Sequence, residues 1–269
     1  LIGTSSRKLV LGFMIATAFL SMWISNTATT MMMLPIGMAV ISHFQTQVEN
    51  EHPGIKIQPH HFRFAIVLML GIAYAASIGG IGTLVGTPPN IVFAGIIRNA
   101  LPGFPEIDFV TWMTIGFPIV IIFLPVAWIY LVFIGSPPEV NRIPGSKALI
   151  KNEIKALGKM NRGESITLFV FCLTALGWIF RSNISIGHFT ITGWTNLLGI
   201  EEYVHDSTIA LTGAMLLFII PTDLKNHEFV LNWEWARKIP WGILILFGGG
   251  FALAFSFQST GLDRWIGEM

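Results

Sequence analysis

Gly79-Gly80-Ile81-Gly82-Thr83-Leu84-Val85-Gly86-Thr87-Pro88-Pro89-Asn90 sits in the middle of a block, residues 63 to 98, that is otherwise apolar and long enough to cross a bilayer. Glycines lose more backbone entropy in a helix than any other residue, and Pro88 and Pro89 have no N–H to give to one. The stretch therefore predicts a helix broken near mid-membrane. Thr87 is expected to cap a second half-helix, with Pro88 at its first position, where proline is best tolerated.

Upstream, residues 9 to 41 are apolar except for Ser25-Asn26-Thr27-Ala28-Thr29-Thr30. The interruption leaves two arms of roughly 14 residues, short of the ~20 a spanning helix needs, which predicts a re-entrant helical hairpin. Downstream, uninterrupted spans are expected at about 111 to 134, 163 to 181, 205 to 221 and 239 to 258. Between them, residues 135 to 162 carry Arg142, Lys147, Lys151, Lys155, Lys159 and Arg162. Lysines at every fourth position beside Ile150, Ile154 and Leu157 predict an amphipathic helix on the membrane surface, or else a solvated helical linker.

Composition agrees. The 269 residues are 53% hydrophobic and 12% charged with a mean hydropathy of +0.67, whereas soluble domains average roughly 25% charged residues. The fold class is thus all-α and polytopic, with the lipid bilayer as its solvent. A net charge of +1 speaks against a nucleic-acid partner. The single cysteine, Cys172, leaves no internal disulfide and no cysteine-rich metal site, and it is expected to be a small buried hydrophobe. The connections 99 to 110 and 182 to 204 hold no Lys or Arg, while 135 to 162 and 222 to 238 are basic, which places the latter two on the cytoplasmic side. Arg98, Arg181 and Arg264 then fall towards the outer face and are expected to snorkel from helix ends.

Lipid tolerates a broken helix only where protein or a water-filled cavity surrounds the break. There, carbonyls ending one half-helix can ligate a cation, and amides opening the next face an anion with the positive end of the dipole behind them. Ser21, Ser25, Asn26, Thr27 and Thr87 supply neutral oxygens and an amide, suited to a hard cation and to a carboxylate. Ser, Thr and Gly also serve close helix packing, but two such breaks in one chain favour a binding site. Gly248-Gly249-Gly250 reads instead as a kink or a tight helix contact.

An enzyme finds little support. His43, His52, His60, His61, His188, His205 and His227 lie in loops or at span edges, without the spacing of a zinc site or a partnered nucleophile. Asp206 and Glu164, at the ends of spans, read as interface residues rather than as a proton relay.

Ser21-Met22-Trp23-Ile24-Ser25-Asn26-Thr27-Ala28-Thr29-Thr30 followed by Leu34-Pro35, then Ala73 to Asn90, and Ile239-Pro240-Trp241-Gly242 running into Gly248-Gly249-Gly250, resemble the bacterial dicarboxylate branch of the divalent anion/sodium symporter family. The resemblance covers essentially the whole chain, from a first hairpin to the span before a second. It implies a homodimer with inverted repeats in the inner (cytoplasmic) membrane and an elevator mechanism. The implied activity is sodium-coupled transport of C4-dicarboxylates such as succinate, or of citrate. Sodium-independent carboxylate exchange and sulfate transport are variants, and a non-transporting membrane sensor or scaffold is the rival of another class. Matched by position, Ser21, Ser25, Asn26 and Gly86 are implied to hold sodium, and Asn26, Thr27 and Thr87 to contact the di- or tricarboxylate. Residues 1–134 would be part of the transport domain, 135–162 the cytoplasmic linker, and 163–269 mostly scaffold. The family's second Ser-Asn-Thr motif is absent and Leu1 is not an initiator, so both ends are expected to be cut from a longer parent.

Overall fold

A computed structural model describes residues 5–51, 62–101, 103–138, 155, 158–186, 189–225, 228–239 and 241–268. The chain divides into two compact units, Leu1–Met160 with Trp178–Asp206, and Asn161–Gly177 with Ser207–Met269.

The first unit holds α1 (Ser6–Ser21), α2 (Asn26–Glu51), α3 (Arg63–Gly80), α4 (Pro88–Ala100) and α5 (Phe109–Ile129), the last continuing as a π-helical turn over Tyr130–Gly135. Its core is a stripe on α1, namely Leu9, Val10, Phe13, Met14, Thr17, Ala18 and Ser21, laid against Phe64, Val67, Leu68, Ile72, Ala75 and Gly79 of α3. Both stripes follow the three-and-four spacing of one helical face. Small residues set the approach. A side chain at Gly71 would meet Met14 at 3.2 Å, and one at Gly79 would run into the backbone of Ala18. Phe44, Phe62 and Phe64 close one end of this core with ring centroids 5.1 to 5.8 Å apart.

Outside the core, large apolar side chains face outward: Ile115, Ile121, Ile122 and Phe123 of α5 are all more than half exposed. In lipid that face is solvated, and helix association rests on packing and hydrogen bonds instead of on hydrophobic burial. Among the described residues, four helices are long and apolar enough to cross a membrane, Asn26–Thr46, Arg63–Gly80, Phe109–Gly135 and Arg162–Ile179.

The second unit contains most of α6 (Arg162–Ile179) and α8 (Asp206–Ile219), with α9 (Trp233–Ala236), α10 (Trp241–Thr260) and α11 (Leu262–Gly267). A side chain at Gly177 would meet Ile209, and one at Gly213 the Thr174 hydroxyl, so α6 and α8 also pack through small residues. Asn161 and Glu164 form a reciprocal box at the start of α6: each side chain takes the other's backbone N–H at 2.8 Å, satisfying donors a helix start would leave orphaned. Two short antiparallel ribbons interrupt the helical pattern, β1 (Ile184–Ile186) with β2 (Phe189–Ile191) and β3 (Pro221–Asp223) with β4 (Glu228–Phe229). Between β2 and α8 lies the short α7 (Trp194–Leu198).

The all-α, multi-pass architecture is the one the composition demands, with several local corrections. The interruption lies earlier than expected, with most of the polar run 25–30 inside a helix. Only Met22–Ser25 is non-helical, and α2 then runs for 26 residues, because Thr30 Oγ1 turns back to Asn26 O at 2.7 Å and Ser25 Oγ accepts from Ala28 N. Of the two arms only α1, at 16 residues, falls short of the ~20 that span a bilayer. The span expected over 205–221 is a helix of 14 residues, about 21 Å long against the ~30 Å hydrocarbon thickness; Pro221, opening β3, disfavours helix for the residue before it. Cys172 is exposed, not buried. His43 is half-buried inside α2, at the edge of the candidate span Asn26–Thr46. Gly248, Gly249 and Gly250 lie in continuous helix and would meet nothing within 4 Å if given side chains. Most of the amphipathic segment expected in 135–162, with Arg142, Lys147 and Lys151, falls outside the described residues, whereas Lys155 and Lys159 are exposed.

Arg181 departs furthest from expectation. It does not snorkel: it is 4% exposed, its Nη1 donates to Val204 O at 3.0 Å, and its guanidinium faces Asp206, Asp108 and Glu106 at 2.9, 3.7 and 3.6 Å. A charge cannot be buried at tolerable cost unless paired.

Candidate functional site

The two breaks meet. α3 ends at Gly80 and α4 begins at Pro88, so the backbone from Ile81 to Thr87 is non-helical, as its glycines and prolines require. Thr87 occupies the N-cap position in extended conformation (φ −146°, ψ 142°), yet its side chain makes no capping bond. A cap oxygen normally accepts from the second or third residue of the helix. Here the second is Pro89, without an N–H, and Asn90 N already donates to Thr87 O at 3.1 Å. The same two prolines strip α4 of its first amide donors, so the expectation that backbone N–H groups there face an anion is corrected. What α4 can offer is its dipole and the Thr87 hydroxyl.

At the other break, α1 ends on the fully buried Ser21. Ser21 Oγ lies 2.7 Å from Ala76 O on α3 and 2.8 Å from Asn26 Oδ1 at the start of α2. One hydroxyl proton serves one acceptor at a time, so the Asn26 carbonyl oxygen retains capacity for a further ligand. A side chain at Gly80 would run into Asn26 Oδ1. A side chain at Gly86 would come within 2.5 Å of Gly80 O and 3.0 Å of Ser21 O, a closeness only glycine permits. Ser21, Asn26, Gly80 and Gly86 thus form one cluster of neutral oxygens where three chain segments converge.

Four further bonds hold the break. Thr83 Oγ1 donates to Met22 O, tying the loop to the turn after α1. Asn90 Nδ2 donates to both Gly80 O and Thr83 O, at 2.9 and 2.8 Å. Trp112 Nε1 on α5 donates to Ile81 O at 2.8 Å. The turn is also braced by rings: Trp23 stacks on Phe109 (5.9 Å between centroids), which stacks on Trp178 (5.2 Å).

Of the six residues implied by sequence, the structure brings together Ser21, Asn26 and Gly86. Among the described residues no side-chain hydrogen bond joins Ser25, Thr27 or Thr87 to those three; Ser25 and Thr27 are exposed and Thr87 is half-buried. Thr83, Asn90 and Trp112 were missed. Asn90 was legible in principle, as a polar side chain one residue past a proline pair that opens a helix. Chemically, the neutral oxygens suit a hard cation, while amide N–H and hydroxyl O–H groups beside them can donate to a carboxylate. Among the described residues no group of three or more His, Cys, Asp or Glu could hold a metal ion.

Comparison with known proteins bears on the same residues. The profile of the family described as "Sodium:sulfate symporter transmembrane region" matches residues 1–269. A protein of Staphylococcus saprophyticus named sodium-dependent dicarboxylate transporter is 42% identical over 268 residues, which are 99% of this chain and 49% of that relative. Proteins of the same name from two strains of Staphylococcus aureus are 42% and 41% identical over 269 residues, again 49% of their length. The chain spans about half the length of these relatives.

Proposed function

The chain belongs to the sodium:sulfate symporter family, the divalent anion/sodium symporters that its motifs resemble, and from that premise we propose that it forms part of a sodium-coupled dicarboxylate transporter of the inner membrane. The carrying observation is the convergence of Ser21, Asn26 and Gly86 where two helices are interrupted. Neutral oxygens gathered at interrupted helices, which a membrane interior tolerates only around protein or a water-filled cavity, are suited to take up a ligand. Relatives named as transporters support transport over catalysis.

On this reading sodium is held by oxygens of Ser21, Ser25, Asn26 and Gly86. The carboxylate is met by Asn26, Thr27 and Thr87, at the positive ends of the α2 and α4 dipoles. Succinate is the proposed substrate, with citrate a larger variant. Residues 1–134 act as part of a moving transport domain, 135–162 as a cytoplasmic linker and 163–269 mostly as scaffold, in a homodimer working by an elevator motion.

The test is uptake of labelled succinate by the full-length parent in proteoliposomes, with and without an inward sodium gradient. Gradient-driven uptake, abolished by Asn26→Ala while expression and oligomeric state persist, is the expected result. Sodium-independent uptake accelerated by internal succinate would establish an exchanger instead. Preference for labelled sulfate would reassign the anion, and no uptake of any of these anions would leave a sensor or scaffold.

A further inference from the structure

A helix that stops inside a membrane protein leaves carbonyls without the N–H groups that would have followed, and each such carbonyl must find another donor. In the break between α3 and α4, two carbonyls are taken by one side chain. Asn90 is 6% exposed, and its amide nitrogen bonds Gly80 O at 2.9 Å and Thr83 O at 2.8 Å. An Asn carboxamide has two N–H bonds in a rigid fork, so both protons are spent and the two carbonyls are held at a fixed separation. Gly80 is the residue against which Asn26 and Gly86 pack. Thr83 is the residue whose hydroxyl reaches Met22 O, next to Ser21.

We infer that Asn90 is a positioning residue for the cation site: by claiming the Gly80 and Thr83 carbonyls, it fixes the break so that Gly86 stays against Ser21 and Asn26. A carbonyl already accepting an amide proton is a poorer cation ligand than one that is not, so the fork also selects which oxygens remain for the ion. Asn90 contacts neither the ion nor the substrate and acts through the loop, as an outer-shell group does around a metal. This rests on the sodium-coupled reading above.

The experiment uses the full-length parent, purified and reconstituted, carrying Asn90→Ala or Asn90→Ser. Two readouts are taken against sodium concentration: succinate uptake at saturating succinate, and the shift of melting temperature produced by sodium alone. Loss of both donors in Asn90→Ala is expected to raise the half-saturating sodium concentration about ten- to hundredfold in both readouts. Asn90→Ser, which keeps one donor, should fall between it and the unsubstituted protein. The KM for succinate at saturating sodium should stay within about twofold, a split that a purely structural residue would not produce. Unchanged half-saturating sodium in either variant overturns the inference, as does failure of both variants to purify as a folded species, which would mark Asn90 as a folding residue only. If the unsubstituted protein itself ignores sodium in both readouts, the functional reading fails and this inference with it. If that protein responds and Asn90→Ala responds at the same concentration, the inference alone fails.

Discussion

Arg181 Nε lies 2.9 Å from Asp206 Oδ1, linking the residues that follow α6 to the first residue of α8 in a contact that is short but not aligned as a hydrogen bond. Asp206 Oδ2 meanwhile accepts from Phe109 N at 3.0 Å, and Asp108 caps α5 through Thr111 N at 2.8 Å. One buried cation therefore holds together three helix ends. Removing one partner of a buried pair strands the other, at a cost of about 3–5 kcal/mol. Arg181→Met is expected to lower the melting temperature sharply, with little dependence on salt because the pair is screened from bulk ions. The double variant Arg181→Met with Asp206→Leu should recover much of the loss. A melting temperature unchanged by Arg181→Met would show that the cluster contributes nothing to stability.

Neighbouring glycines should fail in different ways. A methyl at Gly79 meets the backbone of Ala18, which no rotamer change relieves, so α1 must move. Gly79→Ala is expected to destabilise by about 1–3 kcal/mol, the usual cost of overpacking. A methyl at Gly80 meets the end of the Asn26 side chain, which can swing aside. Gly80→Ala should melt nearer to the unsubstituted protein but lose the Ser21–Asn26 hydrogen bond and, with it, sodium-dependent uptake. Equal melting losses in both variants, measured by differential scanning fluorimetry, would contradict the distinction.

Thr29 is fully buried, and its hydroxyl has no hydrogen-bond partner among the described residues. An unpaired buried hydroxyl costs about 1–3 kcal/mol, and replacing it with an apolar group of the same shape removes that cost. Thr29→Val should match or exceed the unsubstituted protein in melting temperature and retain uptake. Loss of uptake at an unchanged melting temperature would show that the hydroxyl meets a ligand.

How much could be read from the chain follows from where each signal resides. The break from Ile81 to Thr87 is legible because Gly and Pro act on the backbone itself, whatever surrounds them. The boundary of α2 is not, because Asn26, Thr29 and Thr30 are polar yet compatible with a helix when a hydroxyl bonds its own preceding turn, as Thr30 does. Membership of the polar cluster at the breaks was half legible. Ser21 and Asn26 stand out as polar residues in an apolar block, whereas the duties of Thr83 and Trp112 depend on Met22 O and Ile81 O, which only the fold brings near. Arg181 carried no local sign of burial at all, since Glu106, Asp108 and Asp206 come from distant segments.

The aromatic brace has an optical consequence. Trp23 stands two residues before Ser25, and its indole is stacked on Phe109, itself stacked on Trp178. Any rearrangement of the turn that carries the polar cluster must slide or separate these rings. Indole emission depends on the polarity and contacts around the ring, so the molecule contains its own fluorophore at the place where occupancy would be felt, with no label required to watch it.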